Sequence, residues 1–216
     1  MIVHNLDTSN SVLNHFISEI RDVKVQKDSM RFRRNVERIG EILSYEMSRE
    51  LEFETSKVQT PLGLKDVPCV SDQLVLCSVL RAGLPLHQGV LNYFDQIENA
   101  FISAYRHHTT DEDFEIKVEY LASPSLEGKT LILVDPMLAT GSSLVAVQKA
   151  LNKMGEVKQI HLVSVIAAQE GIDYVSEHFP KNSHLWVATV DPELNSKGYI
   201  VPGLGDAGDL AFGNKL

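Results

Sequence analysis

Short apolar runs separated by helical stretches set the pattern of most of the chain. Residues 74–80, 100–105, 131–134, 160–167 and 185–190 are apolar without alternation, as strands buried on both faces are. Between them, residues 84–93, 144–154 and 172–178 carry helical spacing. Strand alternating with helix predicts βαβ units, hence an α/β fold with a parallel sheet flanked by helices. Phe114, Ile116, Val118 and Tyr120 alternate instead, which predicts a half-exposed strand of a β-hairpin over 114–121. Upstream, Leu13, Phe16, Ile17 and Ile20 repeat at helical spacing, and so do Phe32, Val36, Ile39 and Leu43. Asp28 or Ser29 suits the cap of the second helix. Residues 51–68 contain Thr60-Pro61-Leu62-Gly63 and read as extended chain and turns. Five of the 13 glycines fall between Gly198 and Gly213. That density costs backbone entropy in a regular element, so a shaped loop is expected there.

The 216 residues are read as one domain: a helical and extended segment over 1–68, an α/β core over 69–190, and a terminal loop over 191–216. Acids outnumber bases 29 to 20, a net charge of −9, which disfavours a sequence-independent grip on nucleic acid. Two cysteines make neither a disulfide scaffold nor a cysteine zinc module. No apolar run approaches the ~20 residues of a membrane span. The start, MIVHNLDTSN, lacks a basic segment followed by an apolar one, so no signal peptide is visible. A cytoplasmic protein that binds neither membrane nor nucleic acid is expected. His107 and His108 are adjacent; neighbouring side chains diverge on a strand, which favours solvated histidines over a metal site.

Candidate chemistry concentrates where strands end. The apolar run 131–134 is followed by Asp135, and a helical face of Leu144, Val147, Leu151 and Met154 ends at Gly155. The intervening Ala139, Thr140, Gly141, Ser142 and Ser143 are small and hydroxyl-bearing. Such a turn can aim N–H groups at a phosphate, assisted by the helix N-terminus. A carboxylate is a poor phosphate ligand but accepts well from ribose hydroxyls, which suits Asp135. A plain helix-capping turn is the competing reading of these residues alone. There is no lysine where a Walker loop needs one, and no G-x-G-x-x-G. Arg81, beside Ala82 and Gly83 at another strand end, can grip an oxyanion without crowding.

Four segments together resemble the type I phosphoribosyltransferases: 80–83, Tyr105-Arg106, 135–143 and 198–209. The strings DPMLATG and GYIVPGLGDAGD are similar to the uracil phosphoribosyltransferase family in particular. Phe32-Arg33, Tyr45-Glu46, Arg49 and Thr60–Gly63 extend the likeness over nearly the whole chain. It implies the type I phosphoribosyltransferase fold, with 191–216 as a base-binding loop. It implies transfer of phosphoribosyl from 5-phosphoribosyl 1-diphosphate to uracil, giving UMP and diphosphate in pyrimidine salvage. Mg²⁺ would arrive with the diphosphate, with no direct protein ligand assigned. By the same resemblance the donor lies against Arg81, Arg106, Asp135, Pro136, Met137, Leu138, the 139–143 turn and Asp206. Uracil lies against Tyr199, Ile200, Gly205, Asp206 and Ala207. Asp135, Arg106 and Asp206 are the catalytic candidates.

A homo-oligomer, dimer or tetramer, is implied, and activation by GTP stays open. The alternative is a catalytically weak regulator that senses uracil or UMP on the same fold. The chain departs from the family pattern at Pro136, where a second acid is common, at Ser142 and Gln88, and at His107-His108.

Overall fold

In the computed structural model, residues 1–108 and 114–215 are described, with the backbone alone at 105–108 and 114–117. An edge strand, β1 (Ile2–Asn5), leads into α1 (Leu13–Arg21) and α2 (Ser29–Met47). Asp28 caps α2 by accepting from the Arg31 N–H. A hairpin follows, β2 (Phe53–Thr60) with β3 (Gly63–Val70). Then come β4 (Leu74–Leu80), α3 (Leu84–Leu91), β5 (Glu98–His108), β6 (Phe114–Ala122) and β7 (Thr130–Val134). The chain continues through β8 (Met137–Leu138), α4 (Ser142–Leu151), β9 (Gln159–Ala168), α5 (Gln169–His178) and β10 (His184–Asp191). Two short strands, β11 (Glu193–Leu194) and β12 (Ile200–Val201), and α6 (Ala207–Phe212) complete it.

The main sheet runs β1-β10-β9-β7-β4-β5-β6, with β8 beside β9. Every pairing is parallel except β5 with β6. Successive strand residues face opposite sides, and both sides are covered. On one side Leu76, Ile132, Val134 and Val163 meet Phe32, Val36, Ile39 and Leu43 of α2. On the other, Val75, Cys77, Leu131 and Leu133 meet Leu144, Val147 and Leu151 of α4 and Ile172 and Val175 of α5. Two-sided burial is why these strands are uniformly apolar. Each fully buried Leu, Ile or Val contributes about 1.5–3 kcal/mol. Among the described residues no helix is long and apolar enough to cross a membrane.

The extended chain and turns expected over 51–68 form most of the β2–β3 hairpin, eight residue pairs long and mostly exposed on both faces. Hairpin pairing, not an apolar face, orders it. The segment 198–213 is not all loop, because it contains β12 and the six-residue α6, capped by Asp206. Strand β1 is added at the sheet edge; four residues are too few to show a period. The alternating 114–121 stretch does pair as a hairpin with β5.

Helix α3 starts directly after Arg81-Ala82-Gly83 and is held against α2 through glycines. A Cβ at Gly89 would overlap the Glu37 carbonyl oxygen and lie 2.9 Å from the Gly40 Cα. Gly89→Ala therefore forces the helices apart, a strain of ~1–3 kcal/mol. The expected outcome in thermal unfolding is a Tm lower by about 2–4 °C per kcal/mol. An unchanged Tm would mean that this contact relaxes freely.

Candidate active site

A cleft of about 1070 Å³ opens beyond the carboxyl ends of the parallel strands, where open α/β sheets place their ligands. Its floor is the end of β7. The Asp135 N–H donates to the Val163 carbonyl at 3.1 Å, and Asp135 Oδ1 accepts from the Met137 N–H at 3.1 Å. Burial pushes the Asp135 carboxyl up to about 6, and the single Met137 N–H only partly opposes it. The Pro136 carbonyl accepts from Val165 and Ile166 N–H groups, which ties the turn to β9. Leu138 is fully buried.

The turn then bends through Gly141 at φ +78°. A side chain there would be strained by that angle, and its Cβ would lie 2.9 Å from Val175 Cγ1. Glycine has no side chain to cap α4. The Ser142 N–H has only a long 3.4 Å contact with the Thr140 hydroxyl, which pairs with the Ser142 hydroxyl at 2.8 Å. The competing capping-turn reading is thus weakly served: the first turn of α4 opens beside the cleft with its hydroxyls.

Arg81 follows β4 across a cis peptide bond. Its Nη2 lies 3.5 Å from Asp209 Oδ1 and 3.3 Å from the Gly213 carbonyl oxygen. Arg106 lies on β5 by its backbone, and its side chain falls outside the described residues, as do those of His107 and His108.

The far wall is built from β11, β12 and α6. Asn195 Oδ1 accepts from the Lys197 and Tyr199 N–H groups at 2.9 and 3.0 Å. This folds the β11–β12 turn over the cleft. Gly205 has φ +93°, and nothing lies within 4 Å of where its Cβ would be. Asp206 Oδ1 caps α6, accepting from the Asp209 N–H at 2.9 Å.

The cleft thus brings together Arg81, Asp135, Met137, Ala139, Thr140, Ser143, Tyr199, Gly205, Asp206 and Ala207. Pro136, Leu138, Gly141, Ser142 and Ile200 stand behind it or beside it; the Ile200 side chain is buried in the core. The lining residues that the sequence left unassigned include Glu170, Asn195, Lys197 and Lys215. The Asn-Ser-Lys-Gly turn at 195–198 carried a usable signal, since asparagine at the first and glycine at the fourth position favour a type I turn, and the Gly198 N–H does reach the Asn195 carbonyl. Among the described residues no three His, Cys, Asp or Glu side chains form a metal-holding group.

A family model described as uracil phosphoribosyltransferase matches residues 7–214. The chain belongs to the uracil phosphoribosyltransferase family. A curated uracil phosphoribosyltransferase of Porphyromonas gingivalis is 50% identical over 216 residues, covering all of both chains. One of Thermococcus gammatolerans is 38% identical over 99% of this chain and 94% of its own. A solved structure from Aquifex aeolicus superposes with a TM-score of 0.87 at 31% identity, over 98% of each chain. A hypoxanthine phosphoribosyltransferase from Staphylococcus aureus shares the fold, with a TM-score of 0.51 at 14% identity over 86% of this chain and 83% of its own.

In this family member, Asp135 carries a stability signature. Its folded pKa of about 6 stands above the ordinary value of 3.8. The folded state therefore holds its proton more tightly, and stability is lost as pH rises through 6. Asp135→Asn is expected to raise Tm at pH 7.5 by about a few degrees, with the gain vanishing toward pH 4. Calorimetry at both pH values checks this; a lower Tm for the variant at pH 7.5 would contradict it.

Proposed function

We propose that the chain, acting as one domain, transfers the 5-phosphoribosyl group of 5-phosphoribosyl 1-diphosphate to N1 of uracil. The bond between ribose C1 and the diphosphate oxygen breaks, a C1–N1 bond forms, and the N1 proton is lost. The products are UMP and diphosphate, and the role is pyrimidine salvage. The observation that carries this is convergence in one cleft. A hydroxyl-rich helix N-terminus, a raised carboxyl, an arginine and a glycine-rich backbone wall face the same space.

Each group has a task that its chemistry suits. The open first turn of α4, with Thr140 and Ser143, holds the 5-phosphate. Asp135 accepts from the ribose hydroxyls. Arg81, joined by Arg106, takes the diphosphate; the donor replaces the Asp209 and Gly213 contacts of Arg81 with a stronger charge-assisted pair. Reaction at C1 develops positive ribose charge, so the site works by positioning and electrostatics. Asp206 has one oxygen committed to capping α6 and Oδ2 left for the substrates. A uracil edge offers two carbonyl acceptors and an imide N–H, which backbone groups around Gly205 and Ala207 can match. Tyr199 and the chain at Ile200 complete that wall.

A divalent cation fits this donor set. Mg²⁺ uses one or two carboxylates, with substrate oxygens and waters filling its octahedron. Asp135, Glu170 and Asp206 are carboxylates of the cleft lining, and Mg²⁺ bound with the diphosphate would neutralise leaving-group charge. The unpaired cysteines, Cys69 exposed and Cys77 buried, support a reducing, cytoplasmic setting. The β2–β3 hairpin exposes Phe53, Val58, Leu62, Leu64 and Val70, which supports a homo-oligomer.

Diphosphate release measured with uracil, cytosine, hypoxanthine and adenine, with and without GTP, tests the activity. Uracil is expected to be preferred over cytosine by about 10²-fold or more in kcat/KM, because two polar pairs would face like against like. A regulator that binds uracil without turnover would release no diphosphate. Gly205→Val should lower kcat/KM for uracil by about tenfold or more, through backbone strain at positive φ. Use of uracil and cytosine alike, or an unaffected Gly205→Val enzyme, would remove the wall from base reading.

Ionised Asp135 is required to accept from ribose, so kcat/KM for the donor should fall below pH about 6. In Asp135→Asn that limb should flatten, and turnover should drop by about 10²-fold. Wild-type turnover in the variant would exclude the ribose contact.

A further inference from the structure

The wall that faces the base is built from soft backbone. Gly198, Gly203 and Gly205 sit at φ +74°, +61° and +93°, angles that glycine adopts but does not enforce. Recognition by N–H and C=O groups requires that those groups be held still. What holds them lies behind the cleft.

Asp191 closes β10 and is 5% exposed. Its Oδ2 accepts from the Gly203 N–H at 2.8 Å. Arg21, the last residue of α1, pairs with it in a fork: Nη1 to Oδ2 at 2.8 Å and Nη2 to Oδ1 at 2.7 Å. The same Nη1 donates to the Gly203 carbonyl at 3.0 Å. One ion pair therefore fixes both polar backbone groups of Gly203. Next along the chain, Gln26 Nε2 donates to the Leu204 carbonyl at 3.0 Å and to the Ile20 carbonyl at 2.8 Å. Thr189, 3.4 Å from Arg21 Nη2, donates to Asp7 Oδ2 at 2.7 Å and ties the clamp to the turn after β1. The packing is tight, since a Cβ at Gly203 would overlap the Ile200 carbonyl oxygen.

Burial alone would raise the Asp191 carboxyl. Arg21 and the Gly203 N–H outweigh that and hold it below the usual range, so the clamp stays ionised. Buried ion pairs add little net stability over apolar packing of the same shape. Leu13, Ile17 and Ile20 already anchor α1 in the core. The pair supplies direction instead, through donors and acceptors that fit one backbone arrangement. Arg21, Gln26 and Asp191 do not line the cleft.

We propose that Arg21, Asp191 and Gln26 are positioning residues that lock residues 203–204 and so set the selectivity of the adjoining 205–207 backbone for uracil. The inference rests on the base-reading role given to that wall above.

The test combines hydrogen exchange with steady-state kinetics on Asp191→Asn, Arg21→Lys and Gln26→Met. Amides of 203–207 should exchange about tenfold faster or more in Asp191→Asn, with β9 amides unchanged. The uracil KM should rise about tenfold while the donor KM stays within about twofold, and preference over cytosine should fall. Arg21→Lys, which keeps the charge but loses the fork, should show an intermediate effect. Gln26→Met leaves the ion pair intact and should shift the same readouts less.

A purely structural role would lower Tm without separating the two KM values. Folded Asp191→Asn and Gln26→Met enzymes with a uracil KM within about twofold of wild type would overturn the inference. If Asp191→Asn does not fold, Gln26→Met decides alone. Faster exchange with unchanged uracil KM would also overturn it, by showing a clamp that does not govern the base. Failure of wild type to consume uracil would instead sink the activity, whatever the exchange shows.

Discussion

A parallel strand covered on both faces and paired on both edges leaves backbone polar groups free only where it ends. Strand β7 is in that position. It lies between β4 and β9, and each of its five residues is buried. The chain must satisfy its last polar groups within a few residues of Val134, and it does so with local devices. The Asp135 N–H still reaches β9, and the Pro136 carbonyl takes two N–H groups from it. By Gly141 the sheet has no more partners to offer, and the first turn of α4 opens. Because β4, β5, β7, β9 and β10 run parallel, they end on a common side. The cleft is what that topology leaves unpaired.

Charge follows the same geometry. The chain as a whole carries −9, a poor field for a substrate that bears both a phosphate and a diphosphate. Arg81, Lys197 and Lys215 line the cleft together with Asp135, Glu170 and Asp206. Attraction of an anionic substrate depends on local potential within about a Debye length, ~8 Å at physiological salt. The acids elsewhere serve solubility and ion pairs such as Lys158 with Glu52 and Asp72. Arg81 rests on Asp209 and the Gly213 carbonyl, at the long distances of 3.5 and 3.3 Å. Contacts that weak keep the guanidinium oriented and cost little to exchange.

The parts legible in the sequence are those where burial dictates residue type. Strands β4, β7, β9 and β10 must be apolar on both faces, so 74–80, 131–134, 160–167 and 185–190 locate them nearly to the residue. Arg81 and Asp135 were legible for the same reason, as polar residues directly after such runs, and Thr140 as a hydroxyl in the turn of small residues that follows. What stayed hidden is organised by pairing rather than burial. The hairpin β2–β3 needs no apolar alternation, because it is mostly exposed on both faces. Lys197 and Asn195 reach the cleft only because β11 pairs with β12, a contact two residues long that leaves no periodic trace. Helix α6 was masked by glycine density, although Asp206 before small residues is an ordinary capping signal.

Two aspartates show how one residue type separates structure from site. Asp135 directly follows β7 and Asp191 ends β10, both on the carboxyl side of the sheet. Asp191 meets a forked guanidinium and a backbone N–H, and its carboxyl is held low. Its hydrogen-bonding capacity is spent on the protein, so it can only position other groups. Asp135 meets one N–H, and burial drives its carboxyl up to about 6. An under-satisfied carboxylate in a cleft is destabilising in the free protein, and a ligand that donates hydrogen bonds to it relieves that cost. A ligand that donates hydrogen bonds to Asp135 would therefore draw part of its binding energy from strain already present in the empty fold. The satisfied partner at Asp191 is what allows the neighbouring backbone to stay rigid while that strain persists.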